Sequence, residues 1–189
     1  MATILYYFAK YPDVLQKLQR LLDKAMPNGP TDWTYEKAKS VTFIDDIINE
    51  TLRLRPALMT GGYRVTPSKG LQVDEVYIPG DVNVFVPMQL IQSDKRYYKN
   101  ADEFIPERWG ERRDEMGTDG APHFPFSMGP YACPGKNLAM MSMRIAVSTL
   151  AQQYNVSFAP GETAEDFETK ALDTFTTTLP PLQVQFQRR

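Results

Sequence analysis

The chain has 189 residues and a net charge of −2, with 42% apolar and 23% charged residues. That balance fits one soluble globular domain and offers no basic excess to draw it to nucleic acid. One cysteine, Cys133, and one histidine, His123, exclude an intrachain disulfide and any multi-histidine metal site, and no apolar run approaches the length of a membrane span.

Residues 1–9 read as the last turns of a helix. MATILYYFAKYPD is short, apolar and soon charged, without the basic start or the small-residue cleavage site of a signal peptide. Tyr11-Pro12 ends it, and Pro12 opens a second helix to about Lys24 with Val14, Leu15, Leu18, Leu21 and Leu22 at helical spacing. MPNGPTD breaks that helix, and a short turn near Thr34–Lys39 follows. Thr42 with Asp45 three positions on has the form of a capping box. The helix it starts, 42–54, carries the stripe Ile44, Ile47, Ile48 and Leu52 and must stop before Pro56.

In LQVDEVYIPGDVNVFVP, Pro79-Gly80 fits the centre of a type II turn, and Val82, Val84 and Val86 alternate on one side of a strand. A hairpin or small sheet is expected there. From about Lys99 to Gly135 no period survives, yet the stretch holds Phe104, Trp109, Phe124 and Phe126, which argues for a functional loop over a disordered one. A helix over 136–154 has Leu138, Met141 and Ile145 on one side and Met140, Met143 and Val147 on another, so burial all round is expected. The tail, 171–187, has strand composition with a Pro180-Pro181 break and reads as a second hairpin. The fold class is mainly α with small β-sheets.

The segment FPFSMGPYACPG surrounds the one thiol with proline and glycine. Cys133 lies just before Pro134-Gly135 and a helix start, where free N–H groups and a partial positive charge favour a thiolate. Gly135 lets the backbone come close to whatever the sulfur binds. A thiolate aimed out of a stiff, aromatic-lined loop suits a single axial ligand and not zinc, which takes four. Two other readings stand beside it: a buried, inert cysteine, and a nucleophile with His123 as its base across a proline-rich loop.

Three segments, in order along nearly the whole chain, resemble the signatures of the cytochrome P450 family of haem-thiolate monooxygenases, with wording closest to microsomal fungal members. The haem-binding signature F-x-x-G-x-R-x-C-x-G reads Phe126-Ser127-Met128-Gly129-Pro130-Tyr131-Ala132-Cys133-Pro134-Gly135. The E-x-x-R pair is Glu50-Thr51-Leu52-Arg53, and the P-E-R-W element is Pro106-Glu107-Arg108-Trp109. The resemblance implies the C-terminal part of the P450 fold: the end of the oxygen-activating helix at 1–9, the E-x-x-R helix at 42–54, the P-E-R-W element at 106–109, the haem-thiolate loop at 126–135, the proximal helix at 136–154 and the C-terminal hairpin at 171–187.

It also implies roles. Cys133 is the expected proximal ligand of the iron of haem b, with Phe126 packed beside the thiolate. Gly129 and Gly135 let the loop approach the porphyrin. Arg64, in GGYRVTP, matches the arginine that reaches a haem propionate. On pattern alone Glu50 and Arg53 form a solvated pair opposite the isoleucine stripe. The P-E-R-W element favours a structural triad of Glu50, Arg53 and Arg108 that pins the long loop to the helix. ALMTGG at 57–62 and DTFTTTLP at 173–180 match substrate-lining segments, which fits a lipophilic organic substrate as well as plain loop composition.

Three departures matter. Tyr131 stands where the family has arginine, so weaker haem retention than in an arginine-bearing relative is expected. Gln92-Ser93-Asp94-Lys95-Arg96-Tyr97-Tyr98 replaces the family's H-R-D-P-x-x-Y, in a structural turn. MATILYYFAKYPDV matches only the end of the oxygen-activating helix, after its acid–threonine pair, so no catalytic residue is retained and the distal half and membrane anchor are expected to be missing. The family implies an NADPH-cytochrome reductase as electron donor, insertion of one atom of O2, and, for a full-length relative, the endoplasmic reticulum membrane. The chain alone is expected to be cytoplasmic, to bind haem weakly if at all, and not to hydroxylate. The alternatives are a non-enzymatic haem-binding or interaction fragment, and a haem-thiolate isomerase that needs no reductase.

Overall fold

Two helices meet at Tyr11. α1 (Ala2–Lys10) stops there, and α2 (Pro12–Ala25) begins with Pro12 in its first turn, where the missing N–H has no intrahelical partner to lose. The structure, a computed structural model, describes residues 1–189. A 3₁₀ turn at Gly29–Asp32 leads to α3 (Tyr35–Ser40) and α4 (Phe43–Leu54). Then come β1 (Arg64–Val65), β2 (Leu71–Val73), β3 (Val76–Ile78), β4 (Asn83–Val84) and α5 (Met88–Gln92). The long connection holds a 3₁₀ turn at Pro106–Trp109, α6 (Arg113–Met116) and a second 3₁₀ turn at Gly129–Tyr131. α7 (Lys136–Gln153), β5 (Tyr154–Phe158), α8 (Glu165–Thr169), β6 (Leu172–Thr174), β7 (Thr176–Thr178) and β8 (Val184–Arg188) complete the chain.

The core lies where α1, α2, α4 and α7 converge. Ile4 and Phe8, then Leu15, Leu18 and Leu22, then Ile44, Ile47 and Ile48, and finally Val147 and Ala151 join in one buried cluster. Each fully buried leucine or isoleucine contributes about 1.5–3 kcal/mol, so the helical stripes visible in the sequence carry much of the fold. Two polar ties fix α7 to the rest: the Trp33 indole N–H donates to Ser148 Oγ at 3.0 Å, and Arg144 grips both oxygens of Asp45 at 2.7 Å.

Four antiparallel strand pairs stand around this bundle: β1 with β4, β2 with β3, β5 with β8, and β6 with β7. The longest, β5–β8, pairs Tyr154 with Arg188 and Phe158 with Val184, and packs against α1.

Several local expectations are corrected. Thr42 makes no capping hydrogen bond because its own backbone is already helical, at φ −57° and ψ −27°; Asp45 turns instead to Arg144. The side-chain cap forms one helix earlier, where Thr34 accepts from the Lys37 N–H at 3.2 Å. The left-handed residue of the β-turn is Asp81, at φ 58°, and not Gly80. Gly80 is required for a different reason: a Cβ there would lie 2.1 Å from the Ser68 carbonyl oxygen. The valine alternation makes only the two-residue strand Asn83–Val84, and Val82 and Val86 are exposed.

The helix expected at 136–154 ends at Gln153, and only one side of it is covered. Met140, Val147, Ser148, Ala151 and Gln152 are buried, whereas Leu138, Met141 and Ile145 are exposed. The hairpin of the tail is confined to β6 and β7. The segment beyond Pro180-Pro181 leaves it and pairs with β5, because two consecutive prolines remove two ladder donors and break the strand.

Candidate functional site

The cysteine loop is closed by its own backbone. The Cys133 N–H donates to the Phe126 carbonyl at 2.8 Å, Ser127 N–H to Phe124 at 2.8 Å and Ala132 N–H to Gly129 at 3.0 Å. Two residues take left-handed geometry, Ser127 at φ 61° and Gly129 at φ 69°. Only glycine adopts this without strain, and a Cβ on Gly129 would meet nothing within 4 Å, so backbone conformation and not crowding calls for glycine there. Gly135 precedes the first turn of α7, with its missing Cβ 3.7 Å from Cys133 Sγ. The thiol thus sits at the N-terminal mouth of an 18-residue helix and is exposed.

The surroundings of the thiol are apolar and open. Tyr131 is 72% exposed, Met128 70% and Leu138 64%. Phe126 is half-buried and packs against the core cluster, bracing the loop from inside. A cavity of about 480 Å³ lies beside the loop, lined in part by Arg64, Phe85, Val86, Phe124 and Met128. The Arg64 guanidinium stacks over the Tyr131 ring at 5.0 Å and donates to the Tyr63 carbonyl at 2.7 Å. The strand pair β1–β4 brings Arg64 opposite Val84 and so to the loop.

Behind the loop lies its anchor. Glu50, Arg53 and Arg108 are all fully buried. Arg53 Nε and Nη2 each donate to the Glu50 carboxylate at 2.9 Å, and Arg108 Nε donates to it at 2.9 Å. Two further donors complete the shell: the Ile105 N–H at 2.9 Å and the Trp109 indole N–H at 3.0 Å. The guanidinium groups also cap the carbonyls of Gln92, Ala101, Glu103, Lys99 and Asn100. The solvated Glu50–Arg53 pair read from the helical wheel is therefore overturned, because the long loop folds over that face of α4. Trp109 was legible as part of P-E-R-W; its role as donor was not.

His123 packs against Trp109 at a tilt of 45°, centroids 4.3 Å apart, with neither ring nitrogen hydrogen-bonded. Burial pushes its pKa down to about 4; Glu50 pulls the other way, and Arg53 and Lys136 add to the lowering. No hydrogen bond joins it to Cys133, so the nucleophile–base pair considered from sequence is not formed. No group of three or more His, Cys, Asp or Glu side chains is placed to hold a metal ion.

One exposed thiol on a closed loop at a helix mouth can offer a single sulfur ligand. The donor set fits haem: one sulfur, exposed apolar side chains near it along the chain, and an arginine at the rim. A family model described as Cytochrome P450 matches residues 1–186, and the chain belongs to that family. It is 50% identical over 186 residues to cytochrome P450 monooxygenase eupD of Phoma sp, covering 98% of this chain and 64% of that protein. With cytochrome P450 monooxygenase orf5 of Eupenicillium brefeldianum the identity is 41%, covering 98% of this chain and 37% of the other. A crystal structure of a cytochrome P450 (CYP102L1) superposes with a TM-score of 0.82 at 26% identity, covering all of this chain and 41% of that one. The fold is accordingly a C-terminal portion of the P450 fold, and the chain spans less than two thirds of the length of these relatives. No helix is long and apolar enough to cross a membrane.

Proposed function

We propose that Cys133 is the proximal ligand of a haem iron, and that the chain is the proximal part of a P450 monooxygenase acting on a lipophilic organic molecule. The observation that carries this reading is the exposed thiol, held on a self-closed loop at the N-terminus of α7. Bound haem supplies the oxygen chemistry, in which one atom of O2 enters the substrate on two electrons from an NADPH-dependent flavin reductase.

The rest is the work of this chain. The Cys133–Phe126 backbone hydrogen bond sets the direction of the sulfur. Gly129 holds the turn in a left-handed conformation that strains residues with a side chain, and Gly135 lies beside the sulfur. Arg64 offers a charge-assisted hydrogen bond to a porphyrin carboxylate. The Glu50–Arg53–Arg108 cluster holds the long connection on α4 and so keeps the loop in register with Arg64.

By themselves these 189 residues are proposed to hold haem weakly and not to hydroxylate. The exposure of Leu138, Met141 and Ile145 on α7 supports this. The test is the CO difference spectrum of the reduced, haem-loaded polypeptide. A thiolate-type band is expected in the wild type and its loss in Cys133→Ser; an unchanged band in the variant would overturn the ligand assignment. Product formed by the polypeptide with a reductase would overturn the second part.

A further inference from the structure

The arginine at the rim of the cysteine loop is seated on an aromatic ring. Arg64 stands over Tyr131 at 5.0 Å, and its other contact is the carbonyl of its neighbour Tyr63. No carboxylate pairs with it. The Tyr131 hydroxyl makes no hydrogen bond, and the residue is 72% exposed, so its ring serves neither the core nor a polar network. Arg64 comes from a two-residue strand, β1, whose exposed side chain has four flexible bonds and little else to hold it. An unsupported arginine loses rotamer entropy when it captures a ligand.

We propose that Tyr131 is a positioning residue: its ring is the platform that seats the Arg64 guanidinium beside the cysteine loop, ready to meet a ligand carboxylate. This rests on the haem reading above for the identity of that ligand, a porphyrin carboxylate. The chain then meets the ligand with a pre-positioned guanidinium in place of a mobile one. The ring, and not the hydroxyl, does the positioning.

Two measurements test this. In 1H–15N spectra of the polypeptide without haem, the Arg64 Nε–H signal is expected to carry a ring-current shift. That shift should vanish in Tyr131→Leu and persist in Tyr131→Phe. In haem transfer to apomyoglobin, Tyr131→Leu should release haem about two- to five-fold faster, the scale of an exposed cation–π contact, and Tyr131→Phe should stay close to wild type. In an Arg64→Ala background the Tyr131→Leu change should add nothing. The proposal is overturned by an unshifted Arg64 signal in the wild type, by Tyr131→Phe behaving as Tyr131→Leu, or by an undiminished effect without Arg64. If Cys133→Ser keeps the thiolate band, the haem reading fails while the Arg64 shift still reports on the platform.

Discussion

Glu50→Gln probes the anchor of the cysteine loop most directly. The Glu50 side chain is fully buried and its two oxygens accept five hydrogen bonds, from Arg53 Nε and Nη2, Arg108 Nε, the Ile105 N–H and Trp109 Nε1. Glutamine keeps the shape, removes the charge, and turns one acceptor oxygen into an NH2 group facing donors. Two guanidinium groups at 0% exposure are left without a counter-ion. Breaking a buried pair in this way costs about 3–5 kcal/mol, a fifth or more of the roughly 5–15 kcal/mol that holds an ordinary domain. An exposed pair of the same type costs at most about 1 kcal/mol. Removing all three charges at once is not expected to be neutral here, because the carbonyls of Gln92, Lys99, Asn100, Ala101 and Glu103 would lose their donors. Urea unfolding followed by far-UV circular dichroism measures the difference. A loss below about 1 kcal/mol would refute the argument that this network is buried and holds the loop.

Three further outcomes are expected. The His123 pKa lies near 4 in the folded chain against 6.5 unfolded, so the unfolded chain binds the extra proton first, and stability falls as pH drops from about 6.5 to 4. The full effect is about 3 kcal/mol. Asp46, raised to about 6 by burial and then by Asp45 and Glu107, works in the opposite sense within that window, so the His123 part is read as the difference between wild type and His123→Phe in urea unfolding at several pH values. Equal slopes in the two proteins would contradict it. Gly80→Ala places a Cβ 2.1 Å from the Ser68 carbonyl oxygen and should cost about 1–3 kcal/mol, as overpacking does, visible as a lowered Tm. In an Arg64→Ala background, where the ring has no guanidinium to seat, Tyr131→Arg brings a cation back near the porphyrin carboxylates and should slow haem transfer by about tenfold, the scale of one charge-assisted hydrogen bond; an unchanged rate would remove that reasoning.

What the sequence determined by itself is local. Proline marked the end of α1 and the limit of α4, because a missing N–H and a clash act within one turn. The stripe Ile44, Ile47 and Ile48 named a buried face, because 3.6-residue spacing puts those side chains on one side of any helix. The glycines and the thiol of 126–135 carried the family's signature through residue type and order alone. Only the tertiary structure decided what covers the other faces. Glu50 and Arg53 share a side of α4 by spacing, but spacing cannot say whether water or the chain from Lys99 to Trp109 lies over it. Asp45 looked like a cap and became the partner of Arg144, on a helix far along the chain. β8 crossed to β5 in place of closing its own hairpin, and Arg64 found the ring of Tyr131 across a strand and a loop. Each of these depends on which distant segments come into contact, and a burial cost or an ion pair acts only once that contact is made.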